Sequence, residues 1–218
     1  MPEEGDGVAH RLRREWVFDR GNTIIFGTVS GLATEVDRIR EAINRYNPDV
    51  FALGIGEDEI AALRRWNGEE AEYSDYDIFY VRELSRFGQV SLPSPSYLYV
   101  IKVAERTGKP LHGIDLGEEE YTELYMKYVS PSSLFIDAIF RKRRYRRSLQ
   151  GELEEVVMQL DRIAQHPNGI ARLDQERERH MARGIKTLAE RENKVLAVVN
   201  LERFPGVIRE IELHGSTK

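Results

Sequence analysis

Three apolar runs in this chain are followed by carboxylates. Glu57, Asp58 and Glu59 come after Asp49–Leu53, Asp115 comes after Pro110–Ile114, and Glu202 comes after Val195–Val199. Carboxylates held at strand ends can exchange protons with a substrate or hold a divalent cation. His112, inside the second run, could join Glu57, Asp115 and Glu202 as a hydrolytic set. Glu57 to Glu59, Asp115 and His112 each also have a purely structural reading, and that reading is the stronger one. Acidic residues suit the positive end of a helix, so Glu57 to Glu59 read first as a helix start. Asp115 reads first as a cap for the helix after it, and His112 as a packed, hydrogen-bonded strand residue.

Other chemistries are poorly supplied. The histidines are His10, His112, His166, His180 and His214, with no close pair at metal-ligand spacing and no His-Glu-x-x-His. There is no cysteine, which excludes disulfides and thiolate catalysis. No Gly-x-Ser-x-Gly elbow or P-loop is present, and Gly54-Ile55-Gly56 lacks the third glycine of a dinucleotide fingerprint. Sequence alone therefore points to no metal and no cofactor.

The elements that must position these residues follow from the hydrophobic pattern. A chain of 218 residues, 41% hydrophobic and 32% charged, suits one globular domain with a highly charged surface. Glu15–Phe18 and Thr23–Phe26, joined by Asp19-Arg20-Gly21-Asn22, read as a hairpin. Leu32–Tyr46, with Leu32, Val36, Ile39 and Ile43 at helical spacing, reads as a helix ended by Asn47-Pro48. Asp49–Leu53, Pro110–Ile114 and Val195–Val199 read as strands. Helices are expected over 57–66, 75–86, 97–107, 149–165, 170–192 and 206–213. The stretch 118–147 reads as helical with a break at Ser130-Pro131. Tyr76, Phe79, Tyr80 and Leu84 form an aromatic stripe that reads as core. The alternation of strand and helix implies an α/β fold: a mixed, partly parallel central sheet flanked by helices, with a helical insertion at about 117–170. One domain over 15–218 is expected, after a flexible lead-in at 1–14. If the strands are parallel, the loops after them gather at one sheet edge, where open α/β sheets bind ligands.

The motifs in those loops resemble the TraB/PrgY family. Gly27-Thr28-Val29-Ser30 is similar to its opening GTAHVS, with Ser30 at the histidine. Pro48-Asp49-Val50 and Phe51–Gly54 resemble PDVVxxELD, with Gly54 at the glutamate. His112-Gly113-Ile114-Asp115 is similar to the stretch placing an aspartate after the next strand. Glu176-Arg177 through Ala182 resembles ERDxxMA, and Val198–Val207 resembles VVGAGHVPGI, with Arg203 at the histidine. These pieces lie in matching order over residues 16–213. The family is related to the Tiki metalloproteases and the wider erythromycin-esterase/ChaN-like group, and the resemblance implies a divalent-metal site at the two histidines and the glutamate. Serine is a poor ligand for such an ion, glycine has no side chain, and arginine is a permanent cation. The resemblance thus implies the fold and the place of a site, at Ser30, Gly54, Asp115, Glu176, Arg177 and Arg203, while the chemistry is lost; Glu57 joins this candidate cleft from its place after a strand. A structural role is implied for Arg177: paired with a carboxylate, it would fix its helix against the cleft.

One further cluster stands apart. Arg141, Lys142, Arg143, Arg144, Arg146 and Arg147 surround Tyr145. On a helix they occupy most of the circumference, and they read first as a solvated surface paired with Glu152, Glu154 and Glu155. The rival reading is a surface for nucleic acid or an acidic protein. The net charge of −5 gives no reason to expect nucleic acid as the general partner. Met1–Gly7 shows no signal peptide, and no apolar run approaches the ~20 residues of a membrane span. The expectation is a soluble, cytoplasmic, non-catalytic module, ligand-binding or regulatory. Its partner would be a small molecule or peptide, without a membrane role, with homo-oligomerisation left open. The alternatives are a metal-dependent hydrolase with a rearranged site and a binder working through 141–147.

Overall fold

The structure is a computed structural model and describes residues 16–68 and 72–213. Expectations for residues 1–14, for Glu15, and for His10 and His214 lie outside the described residues.

The hairpin β1 (Val17–Arg20) and β2 (Thr23–Thr28) is antiparallel, turning at Gly21-Asn22. Three further strands, β3 (Val50–Leu53), β4 (Leu111–Gly113) and β5 (Val195–Asn200), run parallel to β2. The sheet order is β1-β2-β5-β3-β4, so the fold is the expected mixed, mostly parallel α/β sheet. Every residue of β3 and Val195–Val199 of β5 are buried. Covering on both faces explains why these strands are unbroken apolar runs.

Alternate side chains divide between two helical layers. Ile24, Phe26, Phe51, Leu53, Leu196 and Val198 meet α1 (Glu35–Tyr46) and α4 (Pro95–Thr107). Ile25, Ala52, Ala197 and Val199 meet α8 (Ile170–Arg191) and α9 (Phe204–Leu213), through Met181, Ala182, Ile185, Phe204 and Val207. A third cluster lies across one end of the sheet. Phe79 and Leu84 of α3 (Asp75–Leu84) pack with Val156, Val157 and Leu160 of α7 (Leu153–Ala164), and with Val29 and Leu201. The aromatic stripe is therefore core, as its pattern indicated. Its location has a consequence for function: α3 and α7 roof the carboxyl ends of β2 and β5. The ends of β3 and β4, next to α2 (Glu57–Arg65), are left open.

Several boundaries differ from the sequence reading for local reasons. α4 begins at Pro95, inside what reads as a turn-rich break, because proline is favoured in a helix's first turn. α9 likewise starts at Phe204, taking Pro205 and Gly206 into its first turn. α1 starts late because Leu32 forms a bridge with Val90. The stretch 118–147 divides into α5 (Glu118–Tyr128) and α6 (Pro131–Arg144), with the Ser130 hydroxyl accepting from Ser133 N–H at 3.3 Å. The basic tract is helical only to Arg144, since Tyr145 turns inward and stacks on Phe79 at 4.9 Å. α7 starts at Leu153, where the Glu155 carboxylate accepts from Glu152 N–H at 3.0 Å.

Candidate functional site

Ser30, Gly54, Asp115 and Arg203 each follow a parallel strand, so they share the carboxyl edge of the sheet. The first, second and last are closed in. The Ser30 carbonyl accepts from the Tyr80 hydroxyl of α3 at 2.8 Å, which ties the loop to the roof. Gly54 N–H donates to the Val198 carbonyl at 2.8 Å, and a Cβ at Gly54 would meet Val199 Cα at 3.1 Å. The backbones are too close for a glutamate there. Arg203 is 3% exposed. Its guanidinium meets Asp161 of α7, Asp174 at 3.0 Å and Glu178 at 3.4 Å.

Arg203 is one link in a chain of alternating charges. Arg177 donates from Nε and Nη2 to Asp115 Oδ2, at 3.0 and 2.6 Å, and from Nη1 to Asp174 Oδ1 at 3.3 Å. Asp174 also meets Arg203, and Glu178 continues to Arg209 at 3.3 Å. Asp115 is thus held by an arginine, and the helix after it is capped from elsewhere: the N-cap of α5 is Gly117, and Glu118 N–H donates to Asp58 Oδ2 at 2.8 Å. The Glu178 carboxylate lies against Gly206, where any Cβ would collide with it. This is a structural reason for the Pro-Gly step after Phe204. Burial pushes Asp161 and Glu178 above the ordinary carboxylate range, and Arg203 opposes the shift in both. Asp115 and its neighbours keep Arg177 firmly protonated against the loss of hydration.

Glu202 stands beside this network without a place in it. Its Oε2 is buried and has no hydrogen-bond partner among the described residues. Burial raises its pKa, opposed by a hydrogen bond to its own backbone and by Arg203. Tyr97 donates to Asn200 Oδ1 at 2.9 Å nearby. Burial, then the charge of Glu202, raise the phenols of Tyr76, Tyr80 and Tyr97.

The open part of the edge is a groove formed by two adjoining cavities of about 780 and 630 Å³. Both are lined by Asp58, Asp115 and Glu118. The larger adds Glu57, Glu119, Glu123 and His180, and the smaller adds Glu59, Arg65, Tyr121 and Arg177. Carboxylates from the first turns of α2 and α5 therefore face one another across the end of β4. Glu59 is exposed by surface area, yet the groove hems its carboxyl. Loss of hydration, then Asp115, push its pKa up, and Arg177 pulls it down. Glu57 accepts from Gly113 N–H at 2.8 Å, with His112 Nδ1 3.8 Å away.

The candidate residues thus separate. Glu57, Asp115 and Arg177 reach the groove, whereas Ser30, Gly54 and Arg203 line neither cavity. Glu176 faces away, taking Arg179 at 3.1 Å and the Tyr128 hydroxyl at 3.3 Å. Of the hydrolytic set, Glu57 and Asp115 line the groove, with Asp115 held by Arg177 and His112 Nδ1 3.8 Å from Glu57 on the edge strand, whereas Glu202 lines neither cavity. Among the described residues no group of three or more His, Asp or Glu is arranged to hold a metal ion. In the basic tract, Arg144 pairs with Asp137, while Arg141, Lys142, Arg143, Arg146 and Arg147 are exposed. Asp161, Asp174, Glu178 and Tyr97 were not singled out as site residues from sequence, and Tyr80 was read only as part of the aromatic stripe. A signal existed for two of them: Asp174 and Glu178 share the buried side of α8 with Leu173, Met181 and Ile185.

No family model matches the chain, and no curated protein matches it. Among solved structures, a mutant of the erythromycin esterase EreC in its open conformation aligns at 17% identity and a TM-score of 0.27. The alignment covers 88% of this chain and 48% of that one, so this chain spans about half the length of that protein. The likeness is weak, concerns the fold alone and does not reach the TraB/PrgY family.

Proposed function

We propose that this protein is a non-catalytic, TraB-like binding module whose groove takes a cationic small molecule or a basic peptide segment. The observation that carries this reading is a division of carboxylates. Asp161, Asp174 and Glu178 are consumed by arginine beneath the roof. Glu118, Glu119 and Glu123 are exposed in an open groove, where they can meet an incoming cation. The groove has the volume of a small-ligand site. Tyr121, with Arg177 5.8 Å from its ring centroid, offers an apolar wall beside the charges. Where the resembling motifs carry two histidines and a glutamate, this chain has Ser30, Arg203 and Gly54, and a binding role survives that loss.

A thermal-shift series tests the reading. A polyamine and a lysine-rich peptide raise the melting temperature in a dose-dependent, salt-sensitive way, and an acidic peptide does not. The triple variant Glu118→Gln, Glu119→Gln, Glu123→Gln, confined to exposed side chains, keeps its own melting temperature and loses the shift. Equal shifts with cationic and acidic ligands would overturn the reading.

A further inference from the structure

We propose that the outward face of α6, together with the basic residues at its C-terminal end, docks this protein on an anionic lipid surface. The helix is turned inside out relative to an ordinary amphipathic packing. Its inner side carries Ser133, Leu134, Asp137 and Arg144, with Arg144 bound to Asp137. The outer side carries Phe135, Ile136, Ile139 and Phe140, which are 69%, 53%, 58% and 49% exposed. Four large apolar side chains within two turns are more than the scattered exposure normal for a soluble surface. Lys142 and Arg143 lie on the same outward arc, one turn further on, at 3.6 residues per turn.

A pocket adjoins the basic end. It measures about 270 Å³ and is lined by Arg82, Lys142 and Arg146 around Phe79, Ile78 and Tyr145. Arg82 is already paired with Glu83 at 2.7 Å, which leaves Lys142 and Arg146 over an aromatic floor to meet a phosphate-bearing headgroup. Asp75 also lines the pocket and is the one acidic side chain in it.

Charge and area choose the occupant. The protein carries a net charge of −5, yet six of its cations fall within seven residues here. An anionic surface would therefore attract this end and repel the acidic groove, which fixes orientation. A nucleic acid could use the cations but would leave the apolar face uncovered. A second copy could cover that face, but the four side chains expose only roughly 460 Å² together, taking about 200 Å² for a side chain of this size. A stable dimer commonly buries about 800 Å² per partner. A lipid surface uses both halves, since the apolar side chains enter the headgroup–acyl boundary while cations meet phosphates. The lack of a helix long and apolar enough to cross a membrane among the described residues is compatible with such surface docking.

Co-sedimentation of the full chain with vesicles tests the proposal. Binding is expected to vesicles in which about one third of the phosphatidylcholine is replaced by phosphatidylglycerol, and to be weakened by salt. Pure phosphatidylcholine vesicles leave the protein in solution. Phe135→Ser with Ile139→Ser, and separately Lys142→Glu with Arg143→Glu, each weaken binding by roughly tenfold or more with unchanged thermal melting. Phe140→Trp gives an emission that shifts to the blue with anionic vesicles, above the background of Trp16 and Trp66. Equal binding to both vesicle types, or to neither, overturns the proposal. So does a concentration-dependent dimer that the apolar double variant dissolves, which would assign the face to a second copy.

Discussion

Replacing Arg203 by methionine removes the guanidinium and keeps much of the apolar stem. In the native protein this cation is buried and faces three carboxylates, those of Asp161, Asp174 and Glu178, whose side chains are 17%, 10% and 9% exposed. Breaking a buried ion pair by removing one partner costs about 3–5 kcal/mol, because the remaining charge stays desolvated. For a chain of this size that corresponds to a fall in Tm of roughly 6–20 °C. The pH dependence of the deficit is diagnostic. Asp161 and Glu178 already have pKa values raised by burial, and Arg203 is the largest influence holding each of them down. Without it they rise further. A carboxyl whose pKa is higher folded than unfolded stabilises the protein below its unfolded pKa of ~4, and that contribution disappears as pH rises through the folded value. The variant should therefore lose most near pH 8 and recover part of the loss near pH 5. Urea denaturation at the two pH values measures this. A deficit below about 1 kcal/mol, or one equal at both pH values, would refute Arg203 as the centre of a buried charge network.

The same sign predicts that the wild-type Tm rises as pH falls from neutrality toward about 4.5, since Asp161, Glu178 and Glu202 all take up protons more readily when folded; a calorimetric pH series reads it, and a steady fall over that range would contradict it. Glu202→Gln removes an ionisable group whose Oε2 is buried without a hydrogen-bond partner among the described residues, so stability at pH 8 should hold or rise, and the pH slope should flatten. Gly54→Ala places a Cβ 3.1 Å from Val199 Cα, and overpacking of this kind costs about 1–3 kcal/mol in urea melts. Gly54→Glu should destabilise further without creating a usable carboxylate.

Much of the sheet was legible because burial on both faces leaves a plain trace. The runs around Phe51 and Val198 are continuous and apolar, and the residues after them mark strand ends. The helices were legible as periods, less so as boundaries, since Pro95 and Pro205 read as breaks but serve in first turns. Two features of the edge were hidden. Its roof depends on α3 and α7 meeting across more than seventy residues of sequence, a contact that neither helix's pattern announces. Asp161 therefore gave no sign that it would reach Arg203. Glu57, Asp115 and Arg177 were visible as candidates at the sheet edge, but Glu118, Glu119 and Glu123 were not, because an acidic first turn looks the same whether it faces solvent or a second acidic turn. In α6 the apolar residues and the basic tract are plain in the sequence, but which side of the helix would be buried is not.

Binding without chemistry is the central claim, and isothermal titration with a lysine-rich peptide, followed by mass analysis of the recovered peptide, tests it most directly. The account predicts saturable, salt-sensitive heat, absent in the Glu118→Gln, Glu119→Gln, Glu123→Gln variant, with the peptide recovered intact. A shortened or modified peptide, or no heat above dilution for the wild type, would contradict it.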